Sequence, residues 1–208
     1  AIPGGRSVGV PGNVALMALA HERHGKLPWK RLFEPAIRLA GDGFAVSPRF
    51  HEYLANYRID PATPPELREL QYVAKGGAVL SPASRALYYQ AGGSPLPAGT
   101  VVRNPDFARF LKALAKRGPK AFYDGANALA VAETVSKAPR NPAPMTVADL
   151  AAYRAKPRPP VCGTYRRHRI CGMGPPSSGA TTVLAALGLL ERFDLAGLGK
   201  DSPAAWHL

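Results

Sequence analysis

The stretch GMGPPSSGATTVLAALGLLERFDL, residues 172–195, contains the sharpest change of character in this sequence. Two prolines at 175–176 are followed by two serines, and then by apolar residues at helical spacing. Because proline fixes φ, we expect the prolines to hold the chain extended as it leaves a strand. Ser177 or Ser178 is expected to cap the first turn of a helix that runs over about 180–193.

The two serines and the glycine after them have three interpretations. The stretch is not a nucleophile elbow, because Pro occupies both positions after Gly174, and it lacks the Lys of a phosphate loop. A serine nucleophile is therefore the least favoured interpretation. Bare N–H groups at a helix start favour an anion or a carbonyl oxygen, so Ser177, Ser178 and Gly179 are candidates for one wall of a substrate pocket. On these residues alone we favour plain helix entry.

Apolar spacing and helix-ending residues predict a mostly helical chain upstream of this stretch. Thr146-Val147-Ala148-Asp149 resembles a capping box, with Asp in place of the usual Glu. The predicted helices are one opened by Pro11-Gly12-Asn13 and closed by Gly25, one from Pro28 to Gly41 with a kink or restart at Pro35, and others over Pro48–Tyr57, Asn104–Gly118, Lys120–Ser136 and Thr146–Tyr153.

Two segments predict less regular structure. Residues 58–99 are rich in turn residues and read as an irregular lobe with short helical turns and a short strand near Ala86–Gln90. Val161–Met173 has strand character with a turn at Cys162-Gly163-Thr164. We therefore expect an α+β chain, mostly helix, whose few strands belong to a sheet completed elsewhere.

The two cysteines, Cys162 and Cys171, leave two arrangements open. A hairpin would allow them to bridge, whereas one extended strand would hold them about 30 Å apart, too far for a disulfide. Two cysteines make neither a disulfide scaffold nor a metal site. We favour two ordinary buried thiols.

The chain is strongly basic, with 27 Lys and Arg against 14 Asp and Glu. A basic module that uses Arg166 to Arg169 on polyanions is therefore a rival hypothesis. Nucleic-acid binding is not our prediction, because no helix-turn-helix, aromatic RNA-binding or zinc-finger signature is present. His21 and His24 are three apart, not the four of a metalloprotease motif, so we predict neither metal nor cofactor. No apolar run reaches the roughly 18 residues that a membrane span needs.

Six stretches carry a resemblance that no single one of them would establish. They are Ser7–Gly12, His24–Trp29, Glu34–Val46, Asn104–Gly125, Met145–Tyr153, and Tyr165-Arg166 followed by Pro175–Gly179. In this order they resemble the large subunit of the γ-glutamyltranspeptidase family, nearly from end to end. The resemblance implies an N-terminal nucleophile hydrolase with an αββα sandwich, of which residues 1–208 are the mostly helical, partial large subunit with a few strands.

The resemblance also implies an activity. Such enzymes are precursors that cut themselves into a large and a small subunit, and the nucleophile is the Thr exposed at the start of the small subunit. The α-amine of that Thr is the implied base. Glutathione and other γ-glutamyl compounds form a γ-glutamyl-threonyl ester, which water or an amino-acid or peptide acceptor resolves. A periplasmic or extracellular location is suggested by the resemblance only.

This chain departs from the family pattern at several positions. It contains no autocleavage site, since Thr181-Thr182 falls within the last strong helix. The family's substrate-binding Arg lies upstream of Ala1, and Arg6 does not take that role. Ala180 replaces the second Gly of the serine-glycine turn, and Arg167-His168 replaces Gly-Tyr. We therefore predict no catalytic residue in this chain and no activity from it alone.

The expected context is a longer polypeptide. Both ends look truncated, so the chain is expected to be an internal or processed piece, partnered by the small subunit or self-associating through exposed apolar surface. Alternatives within the family are a relative such as a cephalosporin acylase, or a member that has lost catalysis and serves as a scaffold.

Overall fold

Helices dominate the computed structural model, which describes residues 4–56 and 82–208. The described residues divide into two compact units on either side of the junction between Ala155 and Lys156. The first unit contains a short 3-10 helix Gly5–Ser7, α1 Asn13–His24, α2 Trp29–Leu32, α3 Glu34–Asp42, β1 Phe44–Ala45, α4 Pro48–Asn56, α5 Pro82–Tyr88, β2 Val101–Val102, α6 Pro105–Arg117, α7 Lys120–Tyr123, α8 Gly125–Ser136 and α9 Val147–Ala152.

The second unit is a hairpin followed by helices. Its elements are β3 Val161–Tyr165, β4 His168–Gly172, α10 Gly179–Leu190, α11 Leu195–Leu198 and α12 Pro203–His207. Among the described residues, each of the two sheets is one antiparallel pair, β1 with β2 and β3 with β4. The predicted α+β composition, mostly helix with a few strands, is confirmed.

The core of the first unit forms where α1 and α6 to α9 meet. Its buried members are Val14, Leu114, Ala121, Tyr123, Ala128, Ala132 and Leu150. α6 begins as predicted, because the Asn104 side chain accepts a hydrogen bond from the Phe107 N–H at 2.9 Å and Pro105 occupies the first turn. It ends at Gly118, whose φ of 65° suits a glycine.

The predicted restart near Pro35 is confirmed. α2 ends at Leu32 and α3 begins at Glu34, so Phe33 lies between two short helices. Pro35 sits in the first turn of α3, where its missing N–H costs no helical hydrogen bond. α3 then packs on α6 through Ala40, Ala108 and Leu111.

Two predicted elements were wrong. The single helix over Lys120–Ser136 is two helices, because the Asp124 carboxylate accepts the Gly125 N–H at 2.7 Å and caps α8, while Gly125 adopts φ 68°. The strand near Ala86–Gln90 is instead the end of α5, followed by an isolated bridge between Tyr89 and Pro95. The remainder of the predicted lobe, residues 58–81, lies outside the described residues, as does Tyr57 of the third predicted helix.

The predicted capping box at the start of α9 is confirmed. Thr146 Oγ1 accepts from the Asp149 N–H at 3.2 Å, and Asp149 Oδ2 accepts from the Thr146 N–H at 2.8 Å. These reciprocal bonds satisfy two donors that the helix itself leaves without a partner. The contacts with Thr146 also lower the pKa of the Asp149 carboxyl. The hydrogen bond from the Thr146 side chain contributes most, and the one from the Thr146 backbone N–H contributes less.

The hairpin corrects two further predictions. Its turn lies at Arg166-Arg167, not at Cys162-Gly163-Thr164, and Arg166 adopts φ 56°. Cys162 therefore pairs directly with Cys171, with Cα atoms 4.2 Å apart, and the two form a disulfide. The prediction of two buried thiols was wrong because the backbone folds between them. Their equal spacing, four residues before Arg166 and four after Arg167, is the sequence signal that indicates the pairing.

Candidate functional site

The junction between β4 and α10 holds the three predicted pocket-wall residues, Ser177, Ser178 and Gly179. The two prolines before them do not run extended as predicted. They occupy a turn with a cis peptide bond between Pro175 and Pro176, and the Ser177 N–H donates to the Gly174 carbonyl at 3.2 Å. The serines therefore follow a turn that directs the chain into the helix.

The two serines have different roles at this helix start. Ser177 is half-buried, and its Oγ accepts from the Gly179 N–H at 3.4 Å. Ser178 is the residue before α10, but its side chain makes no capping hydrogen bond. The Ser178 carbonyl instead accepts from the Thr182 N–H and from Thr181 Oγ1, each at 2.9 Å. Of the two predicted caps, only Ser177 contacts a backbone N–H of the first turn.

The start of α10 leaves backbone donors that have no partner within the helix. The Ala180 and Thr181 N–H groups precede the first helical hydrogen bond, and a helix N-terminus carries partial positive charge. Ser178 and Gly179 are exposed beside them. This arrangement can accept a carboxylate or a carbonyl oxygen from a ligand.

Two glycines fix how closely α10 packs on the hairpin. A Cβ on Gly172 would lie 2.8 Å from the Ala180 Cβ, and one on Gly163 would lie 2.9 Å from Leu184 Cδ2. A cavity of about 220 Å³ remains beside this contact, lined by Ile170, Cys171, Gly172, Gly179, Ala180, Val183 and Leu184. Of the three predicted pocket-wall residues, only Gly179 lines it.

A larger cavity, of about 490 Å³, lies in the first unit and was not predicted from the sequence. It is lined by residues of α1, α7 and α9 and has a charged rim that includes Glu22 and Lys120. Tyr123 forms part of its wall, with its hydroxyl donating to the Pro11 carbonyl at 2.7 Å and accepting from the Ala15 N–H at 3.1 Å. Burial raises the pKa of Tyr123, so this hydroxyl stays protonated and structural.

His21 and Arg166, two residues weighed as functional candidates, are engaged in contacts within their own units. Within residues 4–56 and 82–208, no group of three or more His, Cys, Asp or Glu side chains is placed to hold a metal ion. His21 Nε2 contacts the Leu27 carbonyl at 2.8 Å, which agrees with a polar helix end. Arg166 is engaged by its own unit, because its guanidinium donates to the Phe193 carbonyl and lies over the Tyr165 ring.

The sequence predicts no membrane span, because no apolar run is long enough. Among those in the described ranges, none combines the length and the apolar character that crossing a bilayer demands.

Comparison with known proteins defines the class first. The fold is that of the large-subunit part of an N-terminal nucleophile hydrolase of the αββα class, mostly helical with a few strands. The family model for gamma-glutamyltranspeptidase matches residues 1–208, so this chain belongs to the gamma-glutamyltranspeptidase family. The resemblance stated from the sequence is thus confirmed.

Three similar proteins show the breadth of this family. The glutathione hydrolase proenzyme of Escherichia coli (strain K12) is 33% identical over 202 residues, covering 96% of this chain and 31% of that protein. The acylase ACY 1 proenzyme of Pseudomonas sp. (strain V22) is 33% identical over 207 residues, covering 100% of this chain and 33% of that protein. The crystal structure of Helicobacter pylori gamma-glutamyltranspeptidase matches with a TM-score of 0.76 at 31% identity, covering 97% of this chain and 52% of that one.

The lengths of these proteins define what this chain represents. It spans about a third of the length of the curated relatives it matches. Both of those relatives are named as proenzymes.

Proposed function

We propose that this chain is the large-subunit part of a γ-glutamyltransferase and glutathione hydrolase. The complete protein would act on glutathione and other γ-glutamyl compounds through a γ-glutamyl-threonyl enzyme. The Thr nucleophile, freed by self-cleavage of a precursor, lies outside this chain on the small subunit. Residues 1–208 then form one partial large subunit, which supplies scaffold and part of one wall of the cleft.

The observation that carries this proposal is the end-to-end family match. A family model covering residues 1–208 and a glutathione hydrolase proenzyme at 33% identity over 202 residues support the same assignment. The six stretches from Ser7–Gly12 to Pro175–Gly179 also resemble the family's motifs in the same order. Fold alone would not carry the activity, because one fold serves many reactions.

Chemically, the proposed reaction is an acyl transfer in two steps. The Thr hydroxyl attacks the γ-glutamyl carbonyl while the Thr α-amine takes its proton, and the α-ammonium then gives that proton to the leaving amine as the C–N bond breaks and the ester remains. Water or an acceptor amine then attacks the ester carbonyl and releases the Thr. No cofactor enters these steps. The residues of this chain would bind and orient, not react.

Ser177, Ser178 and Gly179 are proposed as residues of the cleft wall. What supports this role is the helix start, where Ser178, Gly179 and Thr181 are exposed and the Thr181 N–H precedes the first helical hydrogen bond. The Ser178 side chain makes no capping bond, so its hydroxyl is not committed to holding the helix start. The role does not require either serine to be a nucleophile.

The test is to express the complete polypeptide that contains this chain and to follow both self-cleavage and release of glutamate from glutathione. We expect two subunits and γ-glutamyl turnover, with none from the 208-residue chain alone. Clear turnover by the isolated chain would contradict the placement of the nucleophile. A processed protein without activity on any γ-glutamyl amide would overturn the proposed substrate class.

An acylase is the second candidate, because the Pseudomonas ACY 1 proenzyme matches at the same 33% identity over 207 residues. It shares the scaffold and differs in residues that this chain does not contain. Hydrolysis of an acylated cephalosporin nucleus in preference to glutathione by the processed protein would favour this candidate.

A further inference from the structure

The Cys162–Cys171 disulfide lies on the face of the hairpin that α10 does not cover. Because side chains alternate along a strand, Cys162, Cys171 and Arg169 share one face, and Gly163 and Gly172 lie on the other. α10 packs against that second face through Ala180 and Leu184. Within this unit, Cys171 is exposed and Cys162 is half-buried.

A guanidinium lies beside one of the two sulfur atoms. Arg169 Nη2 lies 3.6 Å from Cys162 Sγ, diagonally across the two strands. A cation at this distance stabilises a thiolate that forms on Cys162. Cys171 is the more exposed of the two cysteines, so its sulfur is open to attack by a thiolate. The Cys162 sulfur, beside Arg169, is the stabilised leaving group that thiol–disulfide exchange requires.

The surroundings also select the charge of an attacking thiol. The turn and β4 carry Arg167, His168 and Arg169, all exposed. The Glu191 carboxylate accepts from the Arg166 N–H at 3.0 Å, and Asp194 also interacts electrostatically with Arg166, so both carboxylates lie on the side of Arg166. A positive surface of this kind concentrates anionic reactants and repels cationic ones.

We propose that Cys162–Cys171 is a thiol-exchange site for small anionic thiols, independent of the γ-glutamyl activity. A thiolate attacks Cys171 Sγ and forms a mixed disulfide there. The protein S–S bond breaks, and its electron pair leaves on Cys162 Sγ, beside Arg169. A second thiolate attacks the sulfur of the bound thiol, releases the small disulfide, and leaves Cys171 as a thiolate that takes a proton from water. Two thiols are oxidised and the protein disulfide is reduced by two electrons.

The experiment uses the complete protein and three thiols of different charge. N-acetylcysteine attacks as a dianion, 2-mercaptoethanol as a monoanion and cysteamine as a zwitterion, and none of them contains a γ-glutamyl bond. Failure of this proposal is therefore distinguishable from failure of the proposed enzyme activity. Trapping with iodoacetamide followed by peptide mass mapping identifies which cysteine carries the mixed disulfide.

We expect the mixed disulfide at Cys171, with N-acetylcysteine reacting roughly tenfold faster than cysteamine at low salt once rates are normalised to thiolate concentration. Salt should narrow that ratio. Arg169→Gln should slow formation of the mixed disulfide by about threefold, because the Cys162 thiolate is then a poorer leaving group. The matched variant Arg167→Gln should change only how strongly the rate of mixed-disulfide formation depends on the charge of the thiol. A mixed disulfide at Cys162, an unreactive disulfide, or equal rates for the three thiols would overturn the proposal.

Discussion

Ser177 and Ser178 lie side by side at the junction between β4 and α10, and replacing each of them separates helix capping from a role in the cleft wall. Ser177→Ala removes the side-chain oxygen that accepts from the Gly179 N–H in the first turn of α10, at a cost of about 0.5–1 kcal/mol in local stability. Ser178→Ala should leave stability unchanged, because that hydroxyl makes no capping bond. Hydrogen exchange of a peptide covering 177–184 in the complete protein measures both effects.

The same two variants separate the pocket wall from plain helix entry. If the junction lines the cleft, Ser178→Ala lowers kcat/KM for a γ-glutamyl substrate without changing hydrogen exchange. Unchanged kinetic constants in both variants would instead leave helix entry as the whole role of these serines.

Gly172 makes a second prediction at the residue scale. Gly172→Ala places a Cβ 2.8 Å from the Ala180 Cβ, which is not the end of a flexible side chain, so α10 must move off the hairpin. We expect a loss of about 1–3 kcal/mol, as for other overpacked contacts. Faster hydrogen exchange in β4 and α10 would report it.

The matched control is Gly188→Ala in the same helix. A Cβ at Gly188 meets nothing within 4 Å, so the variant should stabilise α10 by about 0.5–1 kcal/mol. Equal effects from the two glycine variants would contradict the role of close packing at Gly172.

The capping box of α9 makes a prediction about pH at the scale of an element. The Thr146 contacts lower the pKa of Asp149 in the folded state, so its contribution is fully present above the unfolded pKa of about 3.9. The contribution is lost as pH falls through the lower folded value. Protection of the amides in 147–152, corrected for intrinsic exchange, should therefore fall in the acid range.

Two variants test this linkage. Asp149→Asn should lower protection of α9 at neutral pH and flatten its acid dependence, because the charged acceptor is gone. Thr146→Ala should cost about 1 kcal/mol, as the loss of an N-cap usually does. An unchanged acid profile in Asp149→Asn would mean that another group carries the pH dependence.

Local chemistry explains which elements the sequence predicted. Asn104, Thr146 and Pro35 act within a few residues of themselves, and each does in the structure what its residue type indicates. The break at Asp124-Gly125 is equally local, and the prediction missed it because the apolar spacing of residues 120–136 continues through the break. Asp followed by Gly, two residues that favour a cap and a positive φ, is the signal that should have interrupted the helix.

The hairpin, in contrast, was predicted wrongly because it depends on contacts between strands. The turn at Arg166-Arg167 is set by the pairing of β3 with β4, a register that no single strand specifies. The disulfide follows from that register, as does the separation of the Cys162 face from the face under α10. At the candidate site, the sequence located the helix start but not which serine contacts it.

At the scale of the whole molecule, the second unit exposes much apolar surface. Trp206 is 81% exposed and Leu189 is 67% exposed, and other large apolar side chains share this property: Met173, Val183, Phe193, Leu198 and Leu208. A single two-stranded hairpin is only marginally stable in water. Family relatives about three times as long as this chain offer a covering segment, and we expect the remainder of the polypeptide to bury this surface.

Leu189 on α10 tests this expectation in the complete protein. If the rest of the polypeptide covers it, Leu189→Ser removes a buried side chain worth about 1.5–3 kcal/mol and should lower both the yield of assembled subunits and Tm. Arg192→Ser is the matched control, an exposed residue just after the helix, and should change neither quantity. Size-exclusion chromatography and thermal unfolding measure them side by side. If Leu189→Ser matched the control, Leu189 would face solvent in the complete protein, and the apolar face of α10 would have to be explained by self-association or by a separate partner.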